Sequence, residues 1–121
     1  MNKEKIEIAS NNTYIKPKIT KEWLTKNNFK YNKILSDIEE ETVYTYRFPV
    51  HKSGCFTILE CELSCIESTG KIKINVYDYG TRVKYAAFYQ VEYGNYTAFL
   101  KNINRKINEE LKRLGIKKIN N

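Results

Sequence analysis

No stretch of the 121-residue chain approaches the roughly 18 consecutive apolar residues that a membrane-crossing helix needs. The opening MNKEKIEIAS lacks a hydrophobic signal core, so a cytoplasmic protein with no membrane partner is expected. Cysteine is scarce and odd in number. Three of them without a signal sequence suit free thiols in a reducing compartment better than a disulfide framework. The chain has one histidine, no C-x2-C knuckle, no glycine-rich phosphate loop and no nucleophile motif, which leaves few routes to catalysis or metal binding. No segment repeats another.

What is present is ordinary in bulk and uneven in distribution. A hydrophobic fraction of 41% with 29% charged residues suits a globular protein and argues against general disorder. The length suits one domain. The net charge of +7 raises the prospect of a polyanionic partner. Residues 1–35 carry eight lysines against three acids, residues 36–70 two basic against seven acidic groups, and residues 71–121 eleven basic against four acidic. The ends are therefore basic and the middle acidic. A nucleic-acid surface requires those ends to meet in space, and a lysine-rich solubilising surface is the plainer alternative.

Residues 55–77, CFTILECELSCIESTGKIKINVY, read as a β-hairpin. Leu59, Cys61, Leu63 and Cys65 fall on one face while Glu60, Glu62 and Ser64 fall on the other, the period-two pattern of a strand with one wet face. Gly70 supplies the positive φ of the turn, and Ile72, Ile74 and Val76 continue the alternation. Outward lysines of the second arm are expected opposite the outward glutamates of the first.

Around this hairpin the chain divides into a partly ordered arm over 1–18, with IEIA as an edge-strand candidate, a domain over 19–115, and a fraying basic tail over 116–121. Thr20 caps a short helix over 21–28, with Ile19 and Leu24 as a hydrophobic staple and Asn27-Asn28 as a left-handed stop. Residues 29–41 read as a loop or a poor turn of helix, and 42–50 as a strand that Pro49 confines to an edge. The segment YAAFYQVEY is a candidate fourth strand. Beyond Gly94-Asn95, the positions Tyr96, Phe99, Leu100, Ile103, Ile107, Leu111 and Leu114 recur at spacings of three and four, predicting a helix over 95–114 that ends at Gly115. Its polar face offers the i,i+4 pairs Arg105 with Glu109, Lys106 with Glu110, and Glu109 with Arg113. The expected fold is a two-layer α+β sandwich: a short N-terminal helix, a three- to four-stranded antiparallel sheet, and a long C-terminal amphipathic helix packed on it.

His51, Cys55, Cys61 and Cys65 invite a zinc reading, but four residues of extended strand hold Cys61 and Cys65 about 13 Å apart, too far for one metal. Buried strand thiols and no cofactor are expected instead. A small ribonuclease could draw on His51, Glu60 or Glu62, and Arg47 or Arg82. The plainer view takes His51 as a turn residue and the glutamates as a solvated face, with no catalytic residue. Of the ten tyrosines, Tyr77, Tyr79, Tyr85, Tyr89, Tyr93 and Tyr96 crowd residues 77–96 together with Arg82 and Lys84. Tyrosine and arginine dominate binding hot spots. Tyr77, Asp78, Tyr79, Arg82, Lys84 and Tyr85 form the candidate contact surface, with half of the tyrosine rings expected to pack the sheet edge.

The α-β-β-β-α order over about residues 20–114 resembles the double-stranded-RNA-binding domain, which implies phosphate contacts from the start of the last helix. That start here, Asn95-Tyr96-Thr97-Ala98-Phe99, carries no lysine. The alternative nucleic-acid surface is therefore Lys101, Arg105, Lys112, Arg113, Lys117 and Lys118. The size and the Lys/Asn/Ile-rich character are similar to those of small accessory proteins of phages and mobile elements, among them the anti-CRISPR proteins. This resemblance implies a non-enzymatic inhibitor that docks on a nucleic-acid-handling host defence protein. Direct RNA or DNA binding ranks second and a ribonuclease third.

Overall fold

A computed structural model describes residues 13–89 and 97–119, without the side chains of Thr13 and Tyr89. The expected IEIA strand, the Gly94-Asn95 helix entry, and Tyr93 and Tyr96 lie outside the described residues. The chain forms β1 (Thr13–Ile15), α1 (Lys21–Lys26), β2 (Lys30–Tyr31), α2 (Lys33–Glu39), β3 (Val43–Ser53), β4 (Phe56–Ile66), β5 (Lys71–Asp78), α3 (Ala86–Tyr89), α4 (Ala98–Leu114) and β6 (Lys117–Ile119). The fold is α+β with an antiparallel sheet and a C-terminal helix. Among the described residues the sheet has six strands rather than three or four, in the order β2-β3-β4-β5-β1-β6.

The additional strands come from segments too short to show a period. Residues 13–15 pair with β5 on one side and with β6 on the other, and Tyr14 is buried there. The arm and the tail thus add strands to the sheet. Residues 29–41 hold both β2 and α2, whose Asn32 cap accepts the Leu35 N–H at 3.0 Å. The candidate fourth strand instead opens with the helical turn α3, which buries Phe88 completely, and its remainder falls outside the described residues.

The longer elements follow their patterns. Thr20 accepts the Trp23 N–H at 3.1 Å to start α1, and Asn28 takes φ 65° after its end. Thr97 accepts the Leu100 N–H at 3.2 Å to start α4, and Gly115 ends it at φ 72°. Leu100, Ile103, Ile107, Leu111 and Leu114 of α4 pack onto Cys61, Leu63, Cys65, Ile72 and Val76 of the hairpin, and α1 brings Leu24 to the same core. Gly70 takes φ 75°, and a Cβ there would lie 2.4 Å from the Lys16 carbonyl oxygen, so both backbone conformation and space demand glycine at the point where β1 meets the hairpin.

β3 is an edge only in part. β2 covers it at Tyr44 and Thr45, and Pro49 lies beyond that pairing, followed by a register shift at His51. On α4, Arg105 meets Glu109 at 2.6 Å as expected, but Lys106 reaches the Val50 carbonyl and Glu110 takes Arg113. The tertiary contact of Lys106 displaces the local pair.

Two outcomes test this packing. Ile107 is fully buried, so Ile107→Asp, which puts a charge in the core at a cost of several kcal/mol, is expected to abolish cooperative thermal unfolding. Burial pushes the Cys61 thiol well up and that of Cys65 from 9.0 to about 11, helped in each case by nearby carboxylates. The fold therefore holds Cys65 protonated, and this contribution to stability is complete below pH 9.0 and is lost as pH rises towards about 11. Thiol titration of the native protein is expected to count Cys55 alone, the exposed cysteine, and denaturant is expected to release the other two.

Candidate functional site

The face of the sheet opposite α4 carries the polar chemistry. Three cross-strand rows define it: Pro49-Glu60-Tyr77, Arg47-Glu62-Asn75 and Thr45-Ser64-Lys73. The expected wet face of β4 is in fact substantially covered. Glu62 is 4% and Ser64 8% exposed. The expected pairing of glutamates with β5 lysines is also replaced, because the register sets Glu60 beside Tyr77 and Glu62 beside Asn75, while Lys73 turns to Glu39 of α2 at 2.9 Å.

A carboxylate this buried requires charge partners. Arg47 Nε donates to Glu62 Oε2 at 2.7 Å, and Arg82 Nη2 to the same oxygen at 3.3 Å. Arg82 Nη1 donates to Glu60 Oε1 at 3.0 Å, and its guanidinium lies 4.6 Å from the centre of the Tyr77 ring. Burial raises the Tyr77 hydroxyl above its ordinary value, and Glu62 adds to this, with Arg82 and Arg47 opposing.

Arg82 comes from a loop, and the loop explains its placement. Asp78 Oδ1 accepts from the Thr81 N–H at 3.0 Å, the Thr81 hydroxyl at 3.1 Å and the Gly80 N–H at 3.1 Å. The bonds from Thr81, ahead of that from Gly80, lower the Asp78 pKa by favouring the ionised form. The Asp78 carbonyl accepts the Arg82 N–H at 2.9 Å, and Arg82 sits at φ 61°. This left-handed backbone is uncommon for arginine and is held by the bonds on either side. Asp78 is thus the turn's anchor.

Of the six residues of the Tyr-rich candidate surface, Tyr85 turns to the core and the others stay with the open face and its loop. Tyr77 and Arg82 belong to the network, and Lys84 bridges to Tyr77 through its backbone. Tyr79 is 51% exposed and its N–H donates to the Ile58 carbonyl at 2.9 Å, which places it beside Ile58 on the same face. Tyr85 packs against the hydrophobic core, edge-on to Phe99 at 6.4 Å. Phe56 and Ile58, which carry no binding signal in the sequence, are exposed at 71% and 39%, Ile58 next to Tyr79.

The other proposed constellations are divided by the sheet or neutralised. Glu60, Glu62, Arg47 and Arg82 do meet, but His51 packs edge-on against Phe99 of α4 at 4.7 Å, on the opposite face, so the ribonuclease set is not assembled. Of the helix cations, Arg105 is bound to Glu109 and Asn102, and Arg113 to Glu110, while Lys112 is exposed. Lys117 and Lys118 are exposed on β6, where successive side chains alternate between faces.

No protein-family model and no curated protein matches the chain. Among solved structures, a DUF1831 family protein from Lactobacillus plantarum is similar in fold, with a TM-score of 0.56 over 92% of this chain and 91% of that one at 7% identity. That similarity shows the α+β fold.

Removing Arg82 leaves Glu60 without its partner and Glu62 with one arginine. Arg82→Ala is expected to lower stability by about 1–3 kcal/mol, and Glu62→Gln in the same background to recover part of the loss, as denaturant unfolding will show.

Proposed function

We propose that the protein is a non-enzymatic binding protein that docks on a protein partner through the open sheet face. The observation that carries this reading is the pair Ile58 and Tyr79, exposed side by side at one end of that face next to the ionic network, with Phe56 exposed two positions before Ile58 on the same strand. Exposed apolar and aromatic side chains bordered by arginine have the makeup of a binding hot spot. The network turns its cations outward. The Arg47, Arg82 and Lys73 side chains are 49%, 36% and 62% exposed, while those of Glu62, Glu60 and Glu39 are 6%, 13% and 34% exposed. A partner with an acidic rim around an apolar centre complements this face. An inhibitor acting on a nucleic-acid-handling protein fits the proposal if it seats on such an acidic surface and not in a basic nucleic-acid channel.

Direct nucleic-acid binding is less well supported, because Arg105 and Arg113 on α4 are engaged by carboxylates. The two readings separate in affinity capture from nuclease-treated lysate, followed by titration of the purified pair and of labelled RNA and DNA at two salt concentrations. Docking predicts that Tyr79→Ala and Ile58→Ala together weaken the protein complex by about 2 kcal/mol or more while charge reversal at Lys101 and Lys112 has little effect. Submicromolar nucleic-acid binding that falls steeply with salt, is lost on those reversals and survives Tyr79→Ala overturns it.

A further inference from the structure

At the other end of the same face lies a half-open cleft of about 250 Å³, bounded by α2 on one side and by Lys84 of the loop after β5 on the other. It is distinct from the Phe56-Ile58-Tyr79 group, and its composition is divided. Leu35, Val43 and Ile66 form an apolar wall; Glu62, Ser64, Asn75 and Tyr77 form a polar floor; Lys73 and Lys84 stand at the rim.

The floor carries unused hydrogen-bonding capacity. Ser64 is only 8% exposed and lines the cleft, yet its hydroxyl makes no hydrogen bond to any described residue. The same holds for the half-buried amide of Asn75 in the next strand. Their polar atoms are not sealed from water, and the open direction is the cleft itself, where a ligand would take the place of water. Among the described residues, the Thr45-Ser64-Lys73 and Arg47-Glu62-Asn75 rows therefore set a hydroxyl, an amide and a carboxylate side by side beneath an apolar wall.

We propose that this cleft binds a nucleoside monophosphate moiety, either as the free nucleotide or as the end of a single strand. An apolar wall facing a polar floor suits a flat heterocycle, whose faces are apolar and whose edge both donates and accepts. The Asn75 amide matches a paired donor and acceptor on a base edge, and the Glu62 carboxylate accepts from an exocyclic amino group, which favours adenine, guanine or cytosine over uracil. Lys73 at the rim is placed for the phosphate. The Lys73–Glu39 pair is exposed, so exchanging its carboxylate for a phosphate is of low cost. At about 250 Å³, below the roughly 300–1,000 Å³ of sites that enclose larger ligands, the cleft has room for the base, with the phosphate outside it at the rim.

The test is NMR titration of the full chain with AMP, GMP, CMP, UMP, ribose 5-phosphate and a single-stranded tetranucleotide. Saturable shifts centred on residues 62–66 and 73–77, with a Kd below about 1 mM for at least one amino-bearing nucleotide, are expected. Asn75→Leu should weaken that binding at least tenfold and Ser64→Ala, which removes only a hydroxyl, about threefold, both with near-native spectra. A tetranucleotide tenfold tighter than the monophosphate identifies a strand end as the ligand, and equal affinity identifies the free nucleotide. Ribose 5-phosphate binding as well as the nucleotides, shifts confined to exposed lysines, or affinity unchanged by both substitutions overturns the proposal. None of these outcomes depends on the docking reading, which is tested on Tyr79 and Ile58.

Discussion

A carboxylate held almost out of water in the middle of the central strand sets the terms for half of this molecule. Glu62 lies in the strand that β3 and β5 flank, with its side chain 6% exposed, and such a group persists as an ion only with charge and hydrogen-bond partners in place. Arg47 supplies one from the adjacent strand, which register alone achieves. The other must come from outside the sheet. The Asp78 turn therefore does more than reverse the chain: it delivers Arg82, in a left-handed backbone conformation, to a position that reaches Glu60, Glu62 and Tyr77 together. The loop after β5 is tied to the face by this ionic contact, and the cleft next to it owes one of its walls to the same arrangement.

The two faces of the sheet consequently differ in kind. One is closed by α1, α3 and α4 over a continuous apolar core. Among the described residues the other has only α2 at one corner, where Ser36 accepts the Val43 N–H at 2.8 Å, and leaves the remainder to charged, polar and a few apolar side chains. Apolar groups that would be core on the first face, such as Ile58 and Phe56, are surface on the second. An uncovered sheet face with this composition is where contact with another molecule gains most, which is why both the proposed docking group and the proposed nucleotide cleft fall there.

Local chemistry made much of this architecture readable in advance. The alternation of Leu59, Cys61, Leu63 and Cys65, the stripe from Leu100 to Leu114, the Thr20 cap and the Gly70 and Gly115 turns each rest on neighbours in sequence, and each stands in the structure. Three-residue strands have no period to detect, so β1 and β6 were hidden although Tyr14 is buried. The tertiary environment decided the rest. Glu62 reads as solvated until Arg47 and Arg82 arrive from 15 positions earlier and 20 later. His51 reads as a turn residue, but β3 runs on to Ser53 and the register shift after Pro49 sets His51 against Phe99. Of the candidate site, Arg82 and Tyr77 were visible as an aromatic-cation cluster, whereas the Ser64-Asn75 floor depends on cross-strand register and carried no sequence signal.

The open sheet face, and not the outward side of α4, is the proposed site of contact with the partner. Hydrogen–deuterium exchange of the free protein against its captured complex measures this directly. Added protection over residues 56–60 and 77–83 with α4 unchanged is the expected result. Protection concentrated on residues 101–113, with the open face exchanging as in the free protein, would contradict it.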